Sequence, residues 1–153
     1  MKKILFVCHG NICRSPMAEF VMKGLVDTRG LGEDFYVESA AVSAEELGNP
    51  VYPPAREILA AHGLSCAGKR ARRLTAADYS RFDLIVCMDK TNIQWAERIL
   101  AGDPEKKLSL LMEWTDRPGN VSDPWYTGDF ETAWRDISEG CRGLLERLTE
   151  GES

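Results

Sequence analysis

The chain has 153 residues, 44% of them hydrophobic and 28% charged, and a net charge of −5, which fits one globular domain, spanning 1–153, with a substantial core. The negative balance argues against a general nucleic-acid binder, and no apolar run approaches the length needed to span a membrane. The five cysteines, Cys8, Cys13, Cys66, Cys87 and Cys141, form an odd and sparse set, which reads as reduced thiols of a cytoplasmic protein rather than a disulfide framework.

The unbroken apolar run over Lys3–Val7 predicts a fully buried strand. It is too short for a secretion signal and leads straight into Cys8-His9-Gly10-Asn11-Ile12-Cys13-Arg14-Ser15-Pro16. Ser15 followed by Pro16 reads as an N-cap and first helical position, and the helix carries Met17, Phe20, Val21 and Leu25 on one face until it runs out near Gly30. Phe35 to Ala40 predicts a second strand, followed by a Gly-, Pro- and Asn-rich loop from Ala41 to Pro54 and a helix from Ala55 to His62 stopped by Gly63. Thr75-Ala76-Ala77-Asp78 reads as the cap of a short helix, Leu84–Met88 as the third strand and Thr91 to Ala101 as a helix. Leu108 to Met112 predicts the fourth strand, and Glu113 to Gly128 a loop. The last helix, from Phe130 to about Glu150, sets Phe130, Trp134, Ile137, Cys141, Leu144, Leu145 and Leu148 on one buried stripe. Strands alternating with helices imply right-handed crossovers and a parallel sheet in an α/β domain.

The chemistry is concentrated where the first strand meets the first helix. A loop closing from Cys8 to Arg14 can turn several backbone N–H groups toward one point, and the helix N-terminus adds positive potential there. Such a cup binds a tetrahedral oxyanion. Its groups also stabilise a thiolate at Cys8, the residue on its floor. Arg14 can hold two phosphoryl oxygens bidentately, Gly10 permits a close backbone approach, Asn11 can brace the loop, and Ser15 can donate its hydroxyl to the sulfur. Cys8, Cys13 and His9 do not make a zinc site, since no second ligand pair follows at suitable spacing. No cofactor or metal is called for. The run Arg70, Arg72, Arg73 reads as a solvated face with one structural arginine, and His62 as a helix-end residue.

The pattern Cys8-His9-Gly10-Asn11-Ile12-Cys13-Arg14-Ser15-Pro16, with Asp123-Pro124-Trp125-Tyr126 near the other end and Phe82 to Asp89 between them, resembles the low-molecular-weight protein tyrosine phosphatases over nearly the whole chain. The resemblance implies a single four-stranded parallel sheet of order 2-1-3-4 with helices on both faces, and the loop after the first strand at its topological switch point. It implies that Cys8 is the nucleophile, Arg14 the phosphate clamp and Asp123 the general acid. His9, Gly10, Asn11, Ile12, Cys13 and Ser15 then form the phosphate loop, and Trp125 and Tyr126 the aromatic wall. The implied substrate is a phosphotyrosine-containing protein, met by a monomer.

Taken alone, Asp-Pro before aromatics is turn chemistry; its pairing with the first motif gives Asp123 its role. Cys13 either packs against the loop or closes a disulfide with Cys8 under oxidation. Two departures stand out. Glu45 falls where many members carry a tryptophan, which should loosen the pocket and, with Glu46, repel acidic peptides. Lys69 falls where a histidine often braces the loop asparagine, which implies a different brace. A protein-arginine phosphatase shares the motif but tends to have a small threonine where this chain has Ile12. A thioredoxin-linked arsenate reductase needs a later cysteine pair that Cys87 lacks. A non-catalytic phosphate-binding module has no use for Cys8, Arg14 and Asp123 together.

Overall fold

The structure, a computed structural model, describes residues 1–150; the last three of the 1–153 span lie outside the described residues. In chain order the elements are β1 (Lys2–Cys8), α1 (Arg14–Thr28), β2 (Phe35–Ala41), α2 (Pro53–Ala61), α3 (Asp78–Arg81), β3 (Leu84–Cys87), α4 (Lys90–Leu100), β4 (Leu108–Leu110), a 3-10 turn (Leu111–Trp114), α5 (Pro124–Thr127) and α6 (Phe130–Thr149). The four strands pair in parallel in the order β2-β1-β3-β4.

β1 is central, so Ile4 to Val7 are wholly buried and their side chains alternate between two cores. Ile4 and Phe6 pack with Met17, Val21 and Met22 of α1, Leu59 of α2, and Ile137, Cys141 and Leu144 of α6. Leu5 and Val7 pack on the other face with Phe82 beside α3 and with Ala96 and Leu100 of α4. The helices thus cover both faces, and the crossover at β1 leaves the Cys8 end of the sheet open between β2 and β3.

Three local expectations are corrected. Ser15 does not cap α1: the helix begins at Arg14 after Cys13, with no side-chain cap, because the Ser15 hydroxyl is directed at the Cys8 sulfur instead. The segment Thr75-Ala76-Ala77-Asp78 leads into α3 without a side-chain cap at Ala77: Asp78 is the first helical residue and reaches back to accept from the Thr75 N–H, while Arg72 grips its buried carboxylate through both guanidinium ends. That makes Arg72 the structural arginine of its run.

β4 stops at Leu110 rather than Met112, where the chain tightens into the 3-10 turn pressed against α6. Two glycines of α6 make room for this contact. A Cβ on Gly140 would lie 2.4 Å from Leu111 Cγ, and one on Gly143 would lie 2.1 Å from the Trp114 carbonyl oxygen. The remaining boundaries agree with the sequence within two residues, and the loop after β4 contains the additional single turn α5.

Candidate active site

β1 delivers Cys8 to the open end of the sheet, where it pairs with Ala41 of β2 and its carbonyl accepts from the Val42 N–H at 3.0 Å. The thiol is almost fully buried, with Sγ 3.0 Å from Ser15 Oγ and 3.4 Å from the Ser15 N–H. The loop turns through Asn11, whose φ of 59° lies in the left-handed region that few residues other than glycine adopt. Its buried amide is fixed on three sides. Nδ2 donates to Ser15 Oγ at 2.8 Å and to Ser39 Oγ at 2.9 Å, and Oδ1 accepts from the Arg72 N–H at 3.1 Å.

These directions decide which way Ser15 points. Because its oxygen accepts from Asn11, its own hydrogen is free to go to Cys8 Sγ, the arrangement that stabilises a thiolate. Ser39 in turn donates to Glu19 Oε1 at 2.5 Å, and Glu19 is held by Lys23 and Lys69. Lys69 also donates to the Ser39 carbonyl at 2.9 Å, and burial keeps its ammonium below the usual lysine range. Lys69 therefore braces Asn11 only through Ser39 and Glu19.

Arg14 is the largest of the fully buried side chains. Its Nη1 donates to Asp89 Oδ2 at 2.7 Å and to the Val121 carbonyl at 2.9 Å, and Nη2 donates to Asp123 Oδ2 at 3.2 Å. Burial opposes its charge, yet negative charge on the Cys8 sulfur, Asp123 and Asp89 outweighs that and holds Arg14 above its ordinary value. Asp89 is itself anchored as the N-cap of α4, with Oδ1 accepting from the Asn92 N–H at 2.8 Å in a reciprocal capping box. Asp123 caps α5, its Oδ1 accepting from the Trp125 N–H at 3.1 Å.

One pocket is lined by Cys8, His9, Gly10, Ile12, Cys13, Arg14, Glu45, Glu46, Asp123, Trp125 and Tyr126. Nearly every residue singled out in the sequence meets there. Asn11 and Ser15 lie behind the loop, acting on its shape and on the sulfur rather than lining the pocket. Trp125 and Tyr126 are exposed at the mouth, with Trp125 set against Tyr52. Also at this pocket, His9 Nε2 lies 2.9 Å from Glu45 Oε2, and Glu46 accepts from Asn49 Nδ2 at 2.6 Å while its stem lies over Gly10.

The Cys13 thiol is pushed up to about 12, first by burial and then by the charges of Cys8 and Asp123. Cys87 and Cys141 are buried and driven well above the ordinary thiol value by the same loss of water. His62 ends α2 and stacks on Trp134 at 4.2 Å, away from this pocket.

Sequence reasoning underrated four residues here: Asp89, Tyr52, Ser39 and Glu19. Only Asp89 had a usable signal, an acidic residue at the carboxyl end of a buried strand, three positions before an Asn that completes a helix cap.

Such an arrangement suits a nucleophilic sulfur, a fixed cation for phosphoryl oxygens and a carboxyl above both. Comparison with known proteins points the same way. The family model of low molecular weight phosphotyrosine protein phosphatases matches residues 3–153. The low molecular weight protein-tyrosine-phosphatase YfkJ of Bacillus subtilis is 36% identical over 97% of this chain and 96% of its own length. Its crystal structure superposes with a TM-score of 0.96 at 34% identity, covering 100% of this chain and 98% of that one. The human low molecular weight phosphotyrosine protein phosphatase is 36% identical over 95% of both chains. The structure of a Drosophila arginine phosphatase is also similar, with a TM-score of 0.90 at 33% identity over 99% of both chains.

Proposed function

Because the chain belongs to the low molecular weight phosphotyrosine protein phosphatase family, we propose that it hydrolyses phosphotyrosine in proteins through a phosphocysteine formed on Cys8. The convergence of Cys8, Arg14 and Asp123 on one pocket supports this reading. The thiolate, steadied by the Ser15 hydroxyl and N–H, attacks phosphorus in line with the tyrosyl oxygen. The P–O bond breaks, and Asp123 gives its proton to the departing phenolic oxygen.

Arg14, held by Asp89 and the Val121 carbonyl, keeps one end of its guanidinium fixed and turns the other to the phosphoryl oxygens in place of Asp123. That exchange frees the Asp123 oxygen to act above the leaving group. Water then attacks the phosphocysteine, Asp123 takes up its proton, the S–P bond breaks, and phosphate leaves with the thiolate restored. Loop amides and Arg14 lower the barrier by holding the equatorial oxygens throughout.

His9, Gly10, Ile12 and Cys13 belong to the phosphate cup, with Asn11 and Ser15 supporting it. Trp125 and Tyr126 offer the substrate ring a wall. The span 1–153 works as one phosphatase domain in a cytoplasmic monomer, with Cys13 available to trap an oxidised Cys8. No helix of the described residues is long and apolar enough to cross a membrane.

The test is direct. Purified protein should release phosphate from a phosphotyrosine peptide, and acid quenching during turnover should leave one phosphoryl group on the peptide containing Cys8. Cys8→Ser should abolish both; near-native turnover by that variant would overturn the nucleophile assignment.

A further inference from the structure

Asp123 has to give up its contact with Arg14 when a phosphoryl group arrives, and what then keeps the carboxyl over the leaving oxygen is found outside the catalytic set. We infer that Tyr52 is a positioning residue for the general acid, acting through Trp125. This inference rests on the proposed role of Asp123.

Tyr52 is tied to the phosphate loop. Its N–H donates to the Ile12 carbonyl at 2.9 Å, and its ring packs on the small cluster of Ile12, Cys13 and Ala71. Pro53 follows it, and a residue before proline is confined to extended backbone; Tyr52 has a ψ of 136°. The side chain therefore stands on a stiff base that moves with the cup.

The same ring carries α5. The ring centroids of Tyr52 and Trp125 are 4.9 Å apart at 55°, and Phe130 lies 6.0 Å from Tyr52 at 25°. The Trp125 N–H donates to Asp123 Oδ1, and Pro124 between them has a fixed φ. A chain of short, stiff links thus runs from Ile12 through Tyr52 and Trp125 to the Asp123 carboxyl. It survives the loss of the Arg14 contact, because neither Tyr52 nor Trp125 is asked to bind the phosphoryl group. Aromatic pairs of this geometry hold their partners in tilted or offset arrangements, which sets the height and angle of α5 over the nucleophile.

Proton donation matters most for a basic leaving group, so a displaced acid shows itself in the dependence of rate on the leaving group. Phenyl phosphate and p-nitrophenyl phosphate carry rings of the same size, so any contact with the Trp125 wall cancels in their ratio. The experiment measures kcat/KM for both with Tyr52→Ala, Tyr52→Phe, Trp125→Ala, the Tyr52→Ala/Trp125→Ala pair and Asp123→Asn. Tyr52→Ala should lose about tenfold more activity on phenyl phosphate than on p-nitrophenyl phosphate, a fraction of the general-acid contribution. Tyr52→Phe should restore the wild-type ratio, since the ring is what supports Trp125. Trp125→Ala, a half-exposed truncation that does not threaten the core, should give the same skew, and the double variant should add little to it. Equal losses on both probes for Tyr52→Ala and Trp125→Ala, beside a clear skew for Asp123→Asn, would overturn the inference and leave the acid in place. Absence of the skew in Asp123→Asn would overturn the acid assignment itself, and the inference with it.

Discussion

Arg14 and Asp89 stand 75 residues apart in sequence, yet the guanidinium Nη1 and the carboxylate Oδ2 meet at 2.7 Å. The carboxylate is itself held by the helix it caps, so the cation is aimed by α4 rather than by its own flexible stem. An arginine fixed in this way loses little freedom when it binds a phosphoryl group.

Asp89→Asn should keep the cap of α4, because asparagine serves there as well, while losing the charge that holds Arg14. We expect a fall in kcat/KM of about 10- to 100-fold on phosphotyrosine peptides, with the thermal transition close to wild type. Asp89→Ala should cost a further ~1 kcal/mol of stability through the lost cap. Steady-state kinetics alongside thermal melts separate the two effects, and undiminished turnover in Asp89→Asn would show that Arg14 needs no such anchor.

Phosphotyrosine peptides should be hydrolysed at least about tenfold faster than matched phosphoserine or phosphoarginine peptides. Cys8, the proposed nucleophile, is buried in the pocket that the exposed Trp125 and Tyr126 also line, a depth that a short phosphoserine side chain should not reach, and Ile12 offers the polar N–H groups of a phosphoguanidine no partner. The likeness to a Drosophila arginine phosphatase makes the phosphoarginine peptide the critical comparison. Equal rates on phosphoarginine and phosphotyrosine would show that Ile12 does not select the substrate. With Glu45 and Glu46 at the mouth, acidic flanking residues should slow the reaction, less so as salt is raised.

Peroxide should inactivate the enzyme reversibly, with dithiothreitol restoring activity, if Cys13 captures the Cys8 sulfenate as a disulfide. Only the thiolate attacks, and the Cys13 thiol sits at about 12, so its reactive fraction is small at neutral pH and grows as pH rises. The recoverable share of activity after a fixed peroxide exposure should therefore increase from pH 7 toward pH 9. Cys13→Ser should make inactivation largely irreversible; a mutant that recovers like wild type would reduce Cys13 to packing.

Gly143→Ala should destabilise the fold by about 1–3 kcal/mol or more, despite alanine's better helix propensity, because the new methyl meets the Trp114 carbonyl oxygen at 2.1 Å. Urea unfolding measures this, and a neutral or stabilised variant would mean that the 3-10 turn yields without cost.

The strand–loop–helix unit and the alternation behind the parallel sheet were legible because both depend on short-range pattern. A wholly apolar run marks the central strand, and the phosphate cup needs its cysteine, arginine and helix start at fixed spacing. Ser15 misled where local and distant demands compete: beside Pro16 it has the signature of an N-cap, but the sulfur at the end of β1 takes its hydroxyl. Thr75-Ala76-Ala77-Asp78 marked the right turn but not its cap, since Arg72 reaches the Asp78 carboxylate from outside the helix and Arg81 from one turn along it. Tyr52, Ser39 and Glu19 were silent because what they hold lies far away in sequence. The early end of β4 was hidden in Gly140 and Gly143, which inside a helix read as mere weak points until the turn they accommodate is seen.

Cys8 is laced into the middle of the sheet, paired with Ala41 on one side and followed from the other by Met88, whose N–H donates to the Val7 carbonyl. Asp123, by contrast, rides on a single helical turn. Opening the first should require global unfolding, whereas the second should fray at lower cost. In mild denaturant the protein should therefore pass through a regime in which the sulfur is still held and still attacks, while the proton donor has come adrift. Such a partly loosened enzyme discriminates among its substrates by how readily their alcohols depart unaided.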